Sequence, residues 1–171
     1  MDAMSKQDTK LDNLHSMDWG ERWDVAGNVS THTETLVALA DDEDSVIRER
    51  VARNPNTPAD VLVALADDEA WHVRHAAAGN CNASGELLAR LAVLKNSDVR
   101  RLVAENPNAT ETVLLRASRD RSPSVREAVA RNPKIPQDVA THLSTSKVSR
   151  IRQALSENPA VPEHIRVGLS L

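Results

Sequence analysis

Arginine recurs at a fixed interval of 26 residues along this 171-residue chain. A guanidinium group binds phosphates and carboxylates through paired hydrogen bonds, so a regular column of arginines could follow an extended polyanion. The column consists of Arg22, Arg48, Arg74, Arg100, Arg126 and Arg152. Whether these side chains bind a ligand or stabilise the fold depends on the elements that carry them.

A second group of reactive side chains lies near the middle of the chain. Trp71, His72 and His75 precede Cys81 at spacings that place the two histidines on one helix face. A zinc site needs a fourth ligand, which this spacing does not supply, so we expect no metal site here. Trp is enriched at interface hot spots, and we therefore expect Trp71 and His75 to contact a partner. We expect Cys81 to be a small buried residue.

The arginine column belongs to an internal repeat. Asparagine recurs with the same period, and the residue before each of the last five arginines is Ile or Val. A period of 26 residues is typical of repeat proteins, in which each unit buries its apolar face only by stacking on its neighbours. The anchoring residues of the six repeats are Asn28, Asn54, Asn80, Asn106, Asn132 and Asn158.

One repeat shows which elements carry these residues. Ile47 and Val51 are four positions apart, a spacing that predicts a helix with one apolar stripe. Asn54-Pro55 ends this helix, because proline disfavours helical backbone at the preceding residue. Pro58 lies at the start of a second helix. We therefore predict six helical pairs in residues 19–171, preceded by a flexible polar segment in residues 1–18.

Composition excludes several classes of protein. The chain has one cysteine and only 2% aromatic residues, so neither a disulfide framework nor a cluster held by several thiolates is expected. It contains no nucleotide-binding loop, no nucleophile elbow and no metalloprotease motif, and we expect no enzymatic activity. With no signal peptide and no apolar run of membrane-spanning length, the predicted location is the cytoplasm, without membrane association.

Charge is distributed unevenly along the chain. Residues 1–78 hold 7 basic and 16 acidic side chains, whereas residues 79–171 hold 14 and 9. The basic half could form a surface that binds nucleic acid or an acidic protein. The basic residues that we expect to contact a partner, together with Trp71 and His75, are Arg90, Arg101, Arg116, Arg119, Arg121 and His142.

The repeat resembles the leucine-rich repeat variant family of bacterial helical solenoids, which are related in shape to HEAT repeats. The resemblance rests on VARNPNTPADVLVALADDE, VAENPNATETVLLRAS and VARNPKIPQDVATHL. It implies an all-α, right-handed superhelical solenoid of six helical pairs, in which one helix of a pair can be a short 3₁₀ helix. Some members carry an iron–sulfur module rich in cysteine; this sequence lacks those cysteines, and no cofactor is expected.

HEAT-like repeats place an Asp–Arg ladder between layers, and this resemblance implies a structural role for the arginine column. Asp42, Asp68 and Asp120 each lie six residues before an arginine of the column. The recurrent asparagines are likewise expected to form hydrogen bonds with the backbone N–H and C=O groups of the turns. The other residues assigned to stability are Arg48, Arg74, Arg126, Asn54, Asn106, Asn132 and Asn158.

These observations favour a non-enzymatic scaffold that binds a protein partner through its concave face and variable repeat columns. The alternative is a nucleic-acid-binding protein that uses the basic C-terminal repeats. A HEAT-like DNA glycosylase is a remote alternative, because the basic half contains no aromatic residue on which a base could stack. The apolar end at Gly168-Leu169-Ser170-Leu171 could also mediate self-association.

Overall fold

The computed structural model describes residues 14–169, and every regular element in that range is helical. A 3₁₀ turn at Leu14–Ser16 precedes twelve α-helices, so the predicted all-α class is confirmed. The helices are α1 (Trp19–Gly27), α2 (Thr33–Leu39), α3 (Ser45–Arg53), α4 (Ala59–Leu65), α5 (Trp71–Gly79), α6 (Gly85–Leu91), α7 (Ser97–Glu105), α8 (Glu111–Ala117), α9 (Pro123–Arg131), α10 (Gln137–Ser144), α11 (Ser149–Glu157) and α12 (Glu163–Leu169).

Long and short helices alternate along the chain. The odd-numbered helices each contain nine residues, and the even-numbered ones contain seven or eight. Both helices of each pair are α-helical, whereas the family resemblance allowed one of them to be a 3₁₀ helix. The predicted helical pairs therefore exist, and their order follows the 26-residue period.

Asparagine ends each long helix. Asn54 is the C-cap of α3 with extended backbone, φ −67° and ψ 127°, and Asn28, Asn80, Asn106, Asn132 and Asn158 occupy the same position in the other repeats. The chain then makes a short turn and enters the next helix after another extended residue. At α4 this residue is Pro58, as the sequence predicted.

The chain forms two compact units, residues 1–83 and 84–171. In the first unit, α3 packs between α1 and α5, and in the second, α9 packs between α7 and α11. Each short helix contacts a neighbouring long helix. The core consists of aliphatic side chains contributed by every repeat, including Ile47, Val51, Leu62, Leu88, Val103, Leu114, Val129 and Leu155.

The two ends of the chain and the third repeat carry three of the expectations from the sequence. Residues 1–13, which make up most of the predicted flexible segment, and residues 170–171 at the apolar end lie outside the described range. Within that segment, Leu14 is buried and Asp18 caps α1, so ordered structure begins before residue 19. The expectation for Cys81 is wrong: its side chain is exposed, because it lies in the turn after α5 and not on a helix face.

Candidate binding cleft in the second unit

The arginine column forms ion pairs between consecutive repeats. The partner of each paired arginine is the aspartate twenty residues later: Arg22–Asp42 at 2.8 Å, Arg48–Asp68 at 2.7 Å and Arg100–Asp120 at 2.7 Å. All three predicted structural aspartates therefore pair with an arginine of the preceding repeat. The chain has Leu94 and Ser146 twenty residues after Arg74 and Arg126.

The aspartate six residues before an arginine contributes its backbone instead. Nη1 of Arg48 donates to the carbonyl oxygens of Asp42 and Glu43, and Nη1 of Arg74 donates to those of Asp68 and Glu69. Arg126 Nη1 likewise bonds the Asp120 carbonyl. Each arginine thus anchors the turn that precedes its own helix, whether or not a carboxylate from the next repeat is present.

The Arg48–Asp68 and Arg100–Asp120 pairs shift the pKa of their carboxyl groups. The hydrogen bonds from Arg48 lower the pKa of Asp68, and those from Arg100 lower the pKa of Asp120, although burial acts in the opposite direction. The same bonds raise the pKa of both guanidinium groups. Asp68 and Asp120 are therefore ionised in the folded protein across the neutral range.

The asparagine column forms a second ladder. Asn54 Nδ2 donates to the carbonyl oxygens of Ala26 and Asn28, both at 2.9 Å, and its Oδ1 accepts from the Asn56 backbone N–H. Asn80, Asn132 and Asn158 make the equivalent three contacts in their repeats. Both carbonyls lie at the end of the preceding long helix. The Asn54 amide supplies a partner to the Ala26 carbonyl and adds a second bond to the Asn28 carbonyl, which also accepts from the Thr31 N–H.

A cleft of about 400 Å³ opens in the second unit beside one rung of the arginine ladder. It lies among the loop after α6, helices α7 and α8, the loop after α8, and the start of α9. Arg100 and Asp120 lie at this cleft, already paired with each other. The remaining charged residues of the lining are Lys95, Arg116, Arg119 and Arg121.

The cleft combines positive charge with an apolar wall. Lys95, Arg116, Arg119 and Arg121 are exposed, and Asp120, the sole acidic residue of the lining, is engaged by Arg100. The other lining residues are Ala92, Val93, Leu94, Val103, Ala117 and Val125. Such a surface can attract an anionic segment and also bury aliphatic side chains.

The structure brings together three of the eight residues that the sequence proposed as partner contacts. Arg116, Arg119 and Arg121 line the cleft. Arg101 instead forms an ion pair with Glu105 on its own helix, at 2.7 Å. Arg90 and His142 are exposed in the last turns of α6 and α10, outside the residues that line the cleft.

Trp71 and His75 belong to the first unit. Trp71 is the first residue of α5 and is 59% exposed, with its ring perpendicular to those of His72 and His75 at 5.8 and 6.1 Å. Within residues 14–169 no three His, Cys, Asp or Glu side chains are grouped so as to hold a metal ion. The exposed indole therefore remains the distinctive feature of this repeat.

Sequence reasoning missed two sets of contacts. Lys95 joins the cleft because the α6–α7 loop folds beside Arg119 and Arg121, and its place five residues before a ladder arginine was the available signal. In the first unit, Arg50 stacks on the Trp23 ring, 3.3 Å from the centroid, and Trp19 stacks on Trp23. Trp19 and Trp23 are four residues apart on α1, whereas nothing in the local sequence pattern links them to Arg50.

Two comparisons with known proteins concern the repeat and the fold. Residues 46–70 match the family model for the leucine-rich repeat variant. A solved leucine-rich repeat variant with a novel repetitive structural motif aligns over 94% of this chain and 70% of its own, with a TM-score of 0.63 and 25% sequence identity. Residues 46–70 match one leucine-rich repeat variant repeat, and the chain is similar in fold to the solved variant. The resemblance seen in the sequence is thus confirmed for the repeat and for the fold.

The likeness to the leucine-rich repeat variant covers the arrangement of helical pairs but does not specify what the cleft binds. No curated protein sequence matches the chain. In the part of the chain that the structure describes, none of the helices has the length and apolarity needed to cross a membrane. The function must therefore be argued from the cleft.

Proposed function

We propose that this leucine-rich repeat variant protein is a non-enzymatic scaffold that binds an acidic segment of a protein partner. The observation that carries the proposal is the cleft of the second unit, where four exposed cations surround an aliphatic wall. The one carboxylate of the lining is already paired, so it offsets little of this charge toward a ligand. An acidic peptide with aliphatic side chains complements both features.

The composition of the wall favours a protein partner over a nucleic acid. Single-stranded nucleic acids are bound through aromatic side chains that stack on bases, and residues 84–171 contain no Phe, Tyr or Trp. A duplex would need a longer array of phosphate contacts, yet Arg101 and Arg131 are engaged by Glu105 and Glu127. Nucleic-acid binding is the alternative, and the experiment below distinguishes it from binding of a protein partner.

The proposal also includes a compartment and a source. The family resemblance implies a bacterial source and a cytoplasmic location, and both are part of this proposal. A role without catalysis agrees with the lining of the cleft, which contains no histidine, serine or cysteine and whose one carboxylate, Asp120, is engaged by Arg100.

The test uses the full chain and three labelled probes: a peptide of alternating Asp and Leu, a DNA duplex and an RNA strand. Fluorescence anisotropy is measured at about 50 and 200 mM salt, a range over which phosphate contacts weaken steeply. Arg116→Glu changes a cation of the cleft. Lys134→Glu is the matched control, because it makes the same charge change at an exposed site outside the cleft lining.

We expect the peptide to bind the wild type and Lys134→Glu with similar affinity, and Arg116→Glu at least about tenfold more weakly, as for loss of a charge-assisted contact. Equal weakening of peptide binding by both variants would mean that only long-range charge acts, and it would refute the cleft as the binding site. A preference for the duplex or the RNA that is lost in Arg116→Glu would replace the protein partner by a nucleic acid.

A further inference from the structure

One rung of the arginine ladder in the second unit lacks its carboxylate. Arg126 occupies the register of Arg100, but the residue twenty positions later is Ser146, where Arg100 has Asp120. We propose that Arg126, together with Lys147, the residue after Ser146, forms a binding site for a carboxylate supplied from outside the chain. This site is separate from the basic cleft, whose lining does not include Arg126 or Lys147.

Arg100 shows how a carboxylate is held at this position. Its Nη1 donates to the carbonyl oxygens of Leu94 and Lys95, both at 2.8 Å, which fixes the plane of the guanidinium. Its Nε and Nη2 then bond Asp120 Oδ2 and Oδ1 at 2.7 and 3.0 Å. Two parallel bonds to one carboxylate are the geometry that a guanidinium group favours.

Arg126 shares the backbone contact of Arg100 but not its contact with a carboxylate. Its Nη1 donates to the Asp120 carbonyl, the equivalent of the Leu94 carbonyl one repeat earlier. Among residues 14–169, neither Nε nor Nη2 of Arg126 makes a hydrogen bond or ion pair, and neither is sealed from solvent as a buried unpaired atom. The edge that binds carboxylate in the neighbouring rung is therefore accessible here.

The loop that carries Ser146 keeps the fold of its counterpart. Asp120 Oδ1 accepts from the Ser122 backbone N–H at 2.8 Å, and Ser146 Oγ accepts from the Val148 N–H at 3.3 Å. The carbonyl of Ser146 also accepts from Arg152, as that of Asp120 accepts from Arg126. Ser146 thus replaces aspartate in the turn but offers no carboxylate to Arg126.

Neighbouring charges also favour an incoming anion. In the first unit, Glu43 and Glu69 follow the ladder aspartates and lie 3.8 and 3.7 Å from Arg22 and Arg48. The corresponding residue after Ser146 is Lys147, which is exposed. Glu127, next to Arg126 in sequence, is held by Arg131 and Arg150 at 2.8 and 3.0 Å. A carboxylate at Arg126 would therefore meet a cation where the first unit has an anion.

The site can be observed directly through the Nε–H signal of Arg126 in ¹H–¹⁵N NMR spectra of the full chain, assigned with Arg126→Lys. The wild type is titrated with sodium acetate and, separately, with a Gly-Asp-Gly peptide blocked at both ends, against sodium chloride at equal ionic strength. Ser146→Asp is the decisive variant, because it restores the ladder carboxylate twenty residues after Arg126. Asp120→Ser makes the reverse change. It removes the carboxylate that Arg100 binds and should leave Nε and Nη2 of Arg100 accessible to an added carboxylate.

We expect acetate to shift the Arg126 signal saturably in the wild type and chloride to leave it nearly unchanged. In Ser146→Asp the signal should already be displaced and respond to neither probe, and the midpoint of thermal unfolding should rise. If the peptide binds more tightly than acetate, the source of the carboxylate is a protein side chain. If the two bind equally, the source is a free carboxylate. An unsaturable shift, or the same shift in Ser146→Asp, would overturn the proposal, even if Asp120→Ser does not fold.

Discussion

Arg48 and Asp68 form a two-point ion pair that links consecutive repeats, with Nε–Oδ2 at 2.7 Å and Nη2–Oδ1 at 3.0 Å. The third nitrogen, Nη1, binds the carbonyl oxygens of Asp42 and Glu43. Asp68 Oδ1 also accepts from the Ala70 backbone N–H. One guanidinium group therefore joins the turn before its own helix to the turn of the next repeat, and the contact depends on the ionised carboxylate.

Asp68→Asn should destabilise the protein at neutral pH and progressively less in acid. The pKa of Asp68 is lowered in the folded state, mainly by the hydrogen bonds from Arg48, from an ordinary value of 3.8. A depressed folded pKa gives stability that is present above the unfolded value and is lost as the pH falls from about 4 through the folded value. At pH 7 we expect a loss of about 2 kcal/mol, typical of hydrogen bonds to a charged group.

The measurement is urea unfolding of wild type and Asp68→Asn at intervals from pH 7 into the acid range, followed by circular dichroism. The difference between the two proteins should narrow below about pH 4, because the wild-type carboxyl then also becomes neutral. A difference that stays constant over this range would show that Asp68 stabilises the fold through packing, without its charge.

Asn54→Ala should cost much more stability than Asn28→Ala. Asn54 is buried and its amide donates to Ala26 and Asn28, so alanine leaves the Ala26 carbonyl oxygen without this partner and removes the bond from the Asn56 N–H. The Asn28 carbonyl keeps its bond from the Thr31 N–H. We expect a loss of about 2 kcal/mol, because an unsatisfied buried carbonyl costs about 1 to 3 kcal/mol. Asn28 is exposed, and within residues 14–169 its side chain makes a single hydrogen bond, accepted from the Ser30 N–H, which water can replace. Chemical denaturation of both variants tests this, and equal losses would contradict the ladder.

Gly27→Ala should be unfavourable only while Arg50 is present. A Cβ atom at residue 27 would clash with Arg50 Nε, so the guanidinium would have to leave the Trp23 ring and the Trp23 carbonyl to which it donates. Losing these contacts should cost about 1 to 2 kcal/mol. In an Arg50→Ala background the steric conflict is gone, and alanine should gain up to about 1 kcal/mol from its higher helix propensity.

A double-mutant cycle on Gly27→Ala and Arg50→Ala measures this coupling by thermal and urea unfolding, with tryptophan fluorescence reporting the surroundings of Trp23. The two changes should be strongly non-additive, since they act on one contact. Additive effects would mean that the small residue at position 27 is unrelated to the Arg50 stack.

The sequence by itself determined the repeat and most of the local structure. The 26-residue spacing of asparagine and arginine identified the helical pairs, and Asn54-Pro55 marked the end of α3 because proline disfavours helical backbone before it. These features are local: a helix period, a cap and a turn are encoded within a few residues. The structural assignment of the aspartates followed from the resemblance to HEAT-like repeats, again through a fixed register.

Only the tertiary structure decided which charges are available. Arg101 and Arg116 are both basic residues of the C-terminal repeats, yet Glu105 engages Arg101 while Arg116 lines a cleft with Lys95. The Arg101–Glu105 pair lies within one helix, four residues apart. In contrast, the grouping of Lys95 with Arg116 and the pairing of Arg100 with Asp120 depend on loops about twenty residues apart in sequence, and neither helix periodicity nor composition contains that distance.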